Sequence, residues 1–282
     1  MSTSAPATPT GTIDVNGVRL YYELHGSGEP LVLVHGSWGD ARSWRLVVPG
    51  LAESFRVVVY DRRGHSRSQR PDSPGSVDED GDDLAALLEA LDLAPAHVVT
   101  NSYGGNIALR LASRRPEVFR SLSCHEPPLW SLLENDPGSR QILQQGARSL
   151  QAVGRRIAQG DHEGAARQFV EEVAFGPGAW ENELPPEMRA IVVDNAPTFL
   201  DELNDPNQLR IDEEALSYLE LPVRLTQGSA SPPTFPALID RLVELIPRVS
   251  RETIDGAAHV PQLTMPERYV EVTTHAVQRA AA

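Results

Sequence analysis

A hydrophobic run too short to be a helix recurs along this chain, and in most cases a helical pattern follows it. The runs are residues 30–34, 55–60, 97–100, 119–124, 222–226 and 249–254. Strands without strict polar–apolar alternation are covered on both faces, as in a parallel sheet. Residues 40–52, 77–91, 105–113, 235–245 and 266–280 carry apolar side chains at helical spacing. Strand and helix in alternation predict an α/β chain with a mostly parallel, doubly wound sheet. Ligands in such sheets bind beyond the carboxyl ends of the strands. Ahead of this series, residues 11–15 and 18–23 alternate about Asn16-Gly17, the strongest short hairpin signal.

One stretch breaks the rhythm. Residues 129–218 show only helical patterns, at 140–159, 162–174 and 186–203. Falling between two strands of the series, they predict a helical cap over the strand ends. The expected organisation is a flexible tail over residues 1–10, a core of 11–128 and 219–282, and a cap of 129–218. The tail is rich in Ser, Thr, Ala and Pro and lacks the basic and apolar regions of a signal peptide.

Composition narrows the partners. The 282 residues are 40% hydrophobic, enough to bury a core without staples. The single cysteine, Cys124, lies in an apolar run and reads as a small core residue. A formal charge of −14, with Arg as the only strong base, repels phosphate backbones and anionic lipid, so neither nucleic acid nor membrane is expected. No apolar stretch approaches the roughly 20 residues of a membrane span. The acidic cluster Asp78–Asp83 reads as a solvated helix N-terminus. A cytoplasmic location is expected, with a small-molecule substrate as partner. Oligomeric state is open, a homodimer included.

The chemistry concentrates at the run's ends. Thr100-Asn101-Ser102-Tyr103-Gly104-Gly105 joins an apolar strand to a helix. A serine hydroxyl becomes a nucleophile only when exposed and deprotonated by a neighbour. A tight strand-to-helix turn exposes it, and small residues nearby avoid backbone clashes. The alternative is a serine N-cap on a glycine-rich turn. His259, in Asp255-Gly256-Ala257-Ala258-His259-Val260-Pro261, follows the last strand and is the expected base.

This arrangement resembles the α/β-hydrolase superfamily, whose nucleophile elbow reads Gly-x-Ser-x-Gly; Thr100 stands where the first glycine usually does. The resemblance covers the chain in motif order and implies an α/β-hydrolase fold with an inserted helical cap. His35-Gly36-Ser37 is similar to the family's oxyanion turn, which implies donors at the Ser37 and Tyr103 N–H groups. Trp38 either lines the pocket or packs. Asp61-Arg62-Arg63-Gly64-His65-Ser66 is similar to a structural loop of the family and reads as scaffold.

The acid departs from the pattern. In most of the family it follows the sixth strand of the parallel series, where this chain has Gln227-Gly228-Ser229-Ala230-Ser231 and no Asp or Glu. Glu126, at the tip of the strand beside the nucleophile strand, is the substitute, with Asp255 as runner-up. Cys124-His125-Glu126-Pro127-Pro128 resembles the corresponding run of fungal zearalenone lactonase and its relatives, where the acid likewise follows this strand.

The expected function is therefore a serine hydrolase cleaving a carboxylic ester or lactone through an acyl-enzyme. Ser102, His259 and Glu126 would be catalytic, with no metal or organic cofactor. Alternatives on the same fold are carbon–carbon bond hydrolysis, a haloperoxidase-type activity, or a ligand sensor that has kept the triad.

Overall fold

The computed structural model describes residues 9–281. Its centre is an eight-stranded sheet formed by β1 (Thr10–Val15), β2 (Val18–His25), β3 (Glu29–Val34), β4 (Phe55–Tyr60), β5 (Ala96–Asn101), β6 (Phe119–His125), β7 (Val223–Gly228) and β8 (Val249–Ile254). The spatial order is β1-β2-β4-β3-β5-β6-β7-β8. The β1–β2 and β2–β4 pairs are antiparallel, whereas every pair from β4 through β3 to β8 is parallel. Of the expected tail, residues 1–8 lie outside the described residues. Thr10, its last residue, already belongs to β1.

The absence of alternation in the central strands has a direct cause. Val32 and Val34 of β3 and Val58 of β4 point into one core with Leu84, Leu87 and Leu111. Leu31, Leu33, Val57 and Val59 point into a second core with Trp44, Leu51 and Val272. Successive side chains of a strand face opposite sides of the sheet, so two cores demand apolar residues at both parities. β8 is the exception: as the edge strand it is largely exposed, and only Ile254 is fully buried. The hairpin forms as expected, with positive φ at both Asn16 and Gly17.

Helices α1 (Val77–Ala90), α2 (Tyr103–Arg114), α7 (Thr234–Leu245) and α8 (Pro266–Ala281) cover the sheet, and a helical cap region lies between β6 and β7. The cap includes α3 (Arg140–Ala158), α4 (His162–Phe169), α5 (Pro186–Asp194) and α6 (Ala196–Asn204). Its own core gathers Val153, Ala166, Trp180, Ile191 and Phe199 around Trp38.

Four local expectations need correction. Residues 40–52 form a 3₁₀ turn (Ala41–Trp44) and a short helix (Val48–Leu51), because Pro49 is tolerated only in a helix's first turn. Residues 186–203 are two helices, broken at Asn195 ahead of Pro197. Residues 162–174 change to a π-helical turn at Val170–Ala174. The acidic cluster is not simply solvated. Ser76 caps α1 at the Glu79 N–H, but Asp80 and Asp83 are buried. Arg63 holds Asp83 through two 2.7 Å bonds and Arg62 holds Asp80 at 2.9 Å. Buried carboxylates persist only when paired in this way. Cys124 is buried as expected, and burial pushes its thiol up to about 12.

The join of α2 to β3 leaves no room for a methyl group at Gly104, where a Cβ would lie 2.5 Å from the Val34 carbonyl oxygen. Gly104→Ala should cost about 1–3 kcal/mol of stability. Gly138→Ala, whose Cβ would meet nothing nearer than 3.5 Å, should stay within about 0.5 kcal/mol. Urea unfolding of the two variants checks both values.

Candidate active site

β5 delivers Ser102 to the sheet's carboxyl edge, where its backbone turns sharply at φ 53°, ψ −127°. Non-glycine residues rarely adopt this conformation, and the surrounding bonds hold it. Ser102 N donates to His125 O at 2.8 Å, and Gly105 N donates to Ser102 O at 2.7 Å. Close approach explains the small neighbours. A Cβ on Gly36 would lie 3.0 Å from Ser102 Cβ, and one on Gly105 would lie 2.8 Å from Pro127 Cβ. The Ser102 side chain makes no capping bond to α2, so it is free rather than spent as an N-cap. Thr100 is buried directly below.

His259 sits in the loop after β8 with its ring fixed on three sides. Phe235 stacks on it at 4.4 Å and 18°, and Phe175 meets it edge-on at 5.4 Å. Its Nδ1–H donates to Glu126 Oε2 at 2.7 Å. Its backbone is held too, since Asn101 Nδ2 donates to His259 O at 2.9 Å.

Glu126 adopts a positive φ of 49° just past β6. Its second oxygen accepts from Gly228 N at 2.8 Å. Burial alone would raise its pKa; the imidazoles of His125 and His259 and the Ser231 hydroxyl outweigh it and hold the carboxyl down at about 2. The carboxylate is thus ionised and committed to the histidine. Asp255 is exposed and binds the Ser229 hydroxyl instead. The structure therefore brings together Ser102, His259 and Glu126.

The competing histidines have other work. His35 donates from Nδ1 to Gly36 O and accepts at Nε2 from Arg62 N, and burial lowers its pKa to about 3. His65 is buried against Arg62 and Thr198, with its pKa driven well down by burial. Burial lowers His125 to about 4. Asp61 accepts from Ala41 N and from Arg67, which gives its loop the scaffold role that was expected.

Two small cavities, about 60 and 40 Å³, meet at Ser102 and share Ser37, Phe169 and His259. Trp38, Met188 and Val192 line one, and Trp130, Leu150 and Leu209 line the other. Trp38 satisfies both of its readings. It lines the first cavity and also stacks on Phe169 at 5.2 Å. Tyr103, as the first residue of α2, carries an N–H with no acceptor inside the helix. Among the described residues no group of three or more His, Cys, Asp or Glu side chains is placed to hold a metal.

Several cap residues at this site had no sequence signal. Glu202 of α6 is buried, accepting from Ser37 Oγ at 2.5 Å and from Arg62 Nη2 at 2.6 Å. Asn195 donates to the carbonyls of Trp38 and Gly39. Phe175 enters through the π-helical turn, a feature frequent at functional sites.

The family model of the alpha/beta hydrolase fold matches residues 29–266, and the chain belongs to that family. An uncharacterized hydrolase of Bacillus subtilis, YraK, is 40% identical over 45% of this chain and 47% of its own length. The 2-hydroxymuconate semialdehyde hydrolase of Pseudomonas sp. CF600 is 42% identical over 38% of this chain and 39% of its own. The matched stretches thus span under half of either relative. Among solved structures, Est816, described as an N-acyl homoserine lactone degrading enzyme, superposes with a TM-score of 0.75 at 26% identity, covering 94% of this chain and 99% of that one. A bromoperoxidase from Bacillus anthracis gives 0.78 at 23% identity, covering 96% and 100%, a likeness of fold alone.

The depressed Glu126 pKa has a measurable consequence. Its stabilisation is complete above the unfolded value of 4.5 and is lost as pH falls toward about 2. The shift corresponds to about 3 kcal/mol. The stability difference between wild type and Glu126→Gln should shrink by about that amount between pH 5 and pH 2, read by urea unfolding across the range.

Proposed function

We propose that the protein is a serine hydrolase cleaving an uncharged carboxylic ester or lactone through an acyl-enzyme. The observation that carries this is Ser102, freed from capping, sharing its cavities with a histidine whose far nitrogen is fixed by a buried carboxylate. With Nδ1–H bound to Glu126, His259 keeps Nε2 as the acceptor, so it takes the Ser102 proton as the oxygen attacks the carbonyl carbon. The tetrahedral oxyanion is held by the N–H groups of Ser37 and Tyr103. Collapse breaks the bond to the leaving oxygen, which receives the proton from His259. Water, deprotonated by the same histidine, then attacks the acyl-enzyme and restores Ser102.

Neutrality of the substrate follows from the walls. No Arg, Asp or Glu lines either cavity, so a substrate carboxylate would be buried without a permanent cation beside it. Support for a lactone comes from the structural likeness to Est816 and from the acid's place after β6, shared with the zearalenone lactonases. Carbon–carbon bond hydrolysis through the same three residues is the second reading. The cation-free cavities favour cleavage of an uncharged ester over that of an anionic substrate.

Ser102→Ala should reduce turnover of p-nitrophenyl butyrate by about 10⁴-fold or more, and wild type should be labelled at Ser102 by a fluorophosphonate. Full activity in Ser102→Ala rejects the mechanism. Separately, kcat/KM for the butyrate should exceed that for a p-nitrophenyl ester carrying a free carboxylate by about 100-fold. Equal rates reject the neutral-substrate reading.

A further inference from the structure

We infer that the cap helix α6 braces the oxyanion turn, so that docking of the cap and assembly of the oxyanion hole are one event. This rests on the serine-hydrolase reading above. The turn Gly36–Gly39 is gripped from two points on one cap element. At the start of α6, Asn195 Nδ2 donates to Trp38 O at 3.2 Å and Gly39 O at 3.0 Å. Two turns further on, Glu202 accepts from the Ser37 hydroxyl at 2.5 Å. Trp38 between them is in the left-handed region at φ 66°, which an isolated chain would leave.

The same grip reaches the second donor. Glu202 also binds Arg62, whose guanidinium lies 5.0 Å from the centre of the Tyr103 ring and is anchored on its far side by Asp80. One buried cap carboxylate therefore touches, directly or through one residue, both amino acids that supply oxyanion N–H groups. Asn195 and Glu202 line neither cavity, and the Ser37 hydroxyl is turned to Glu202. Glu202, Asn195 and the Ser37 hydroxyl are positioning groups, and their effect falls on the transition state, where donor placement matters most.

Two substitutions isolate the brace. Ser37→Ala removes the hydroxyl but keeps the backbone N–H. Asn195→Asp keeps the acceptor used by Ser66 N but loses both donations to the turn. Each should lower kcat on p-nitrophenyl butyrate by about 10- to 100-fold with KM changed less than about threefold. Affinity for a trifluoromethyl ketone, which forms a tetrahedral oxyanion at Ser102, should fall in parallel. Ser37→Thr, which retains the hydroxyl, should recover most of the loss.

A melting temperature that falls while kcat holds, a change confined to KM, or Ser37→Thr no better than Ser37→Ala would overturn the brace. Those results presuppose a wild-type enzyme that turns over esters and is labelled at Ser102. Absence of both in wild type would instead reject the underlying serine-hydrolase reading.

Discussion

Through its two oxygens Glu126 ties together three strand ends, those of β6, β7 and β8. One carboxylate oxygen takes the Gly228 N–H at the tip of β7, and the other takes the imidazole carried by the loop after β8. The residue itself leaves β6 in a left-handed backbone conformation, and its side chain reaches the end of β7. A carboxylate here is costly to bury, and it persists because both oxygens have strong donors. Ring stacking by Phe235 then leaves the histidine little freedom to turn away. The protein's own bonds hold the arrangement, the kind of preorganisation on which electrostatic catalysis depends.

A second buried electrostatic system joins the cap to the core. Arg62 is inaccessible and lies between Asp80 of α1 and Glu202 of the cap, while Arg63 is clamped on Asp83. Burial pushes Asp80 up to about 7 against the pull of Arg62. Such pairs add little net stability compared with an apolar core, but removing one partner strands the other. Their value lies in orientation: a hydrophobic interface could slide, whereas a guanidinium between two carboxylates fixes how the cap sits.

Much of this was legible in the sequence, for local reasons. Ser102 and Glu126 each stand in a short turn at the end of an apolar strand, and His259 in the loop after the last strand, so neighbours in the chain announced them. The empty acid position near Ser231 was visible as a missing residue type. The two cores could be inferred from strands that refuse to alternate. Glu202 and Asn195 gave no such notice. Their partners lie 165 and 157 positions away, and a carboxylate on an amphipathic cap helix is indistinguishable from a solvent-facing one. The helix breaks ahead of Pro49 and at Asn195 are masked in the sequence because apolar spacing continues across each of them. The acidic cluster misled for a related reason: Asp80 and Asp83 are buried only because Arg62 and Arg63 come back to meet them.

Placing the carboxylate after β6 also changes what the segment after β7 is free to do. Ser229 to Pro233 contains no ionisable residue, yet Ser231, Pro232 and Pro233 form part of the rim of a cavity of about 570 Å³ that also reaches Trp130, Val173 and Phe175 beside the inner cavities. Where the acid resides in this loop, any redesign of the rim also moves a proton-relay group. Here the carboxylate comes from a different strand, and the rim touches it only from outside, through the Ser231 hydroxyl. Exchange of Pro232 or Pro233 would reshape the rim without replacing the acid, whereas exchange of Ser231 would alter both.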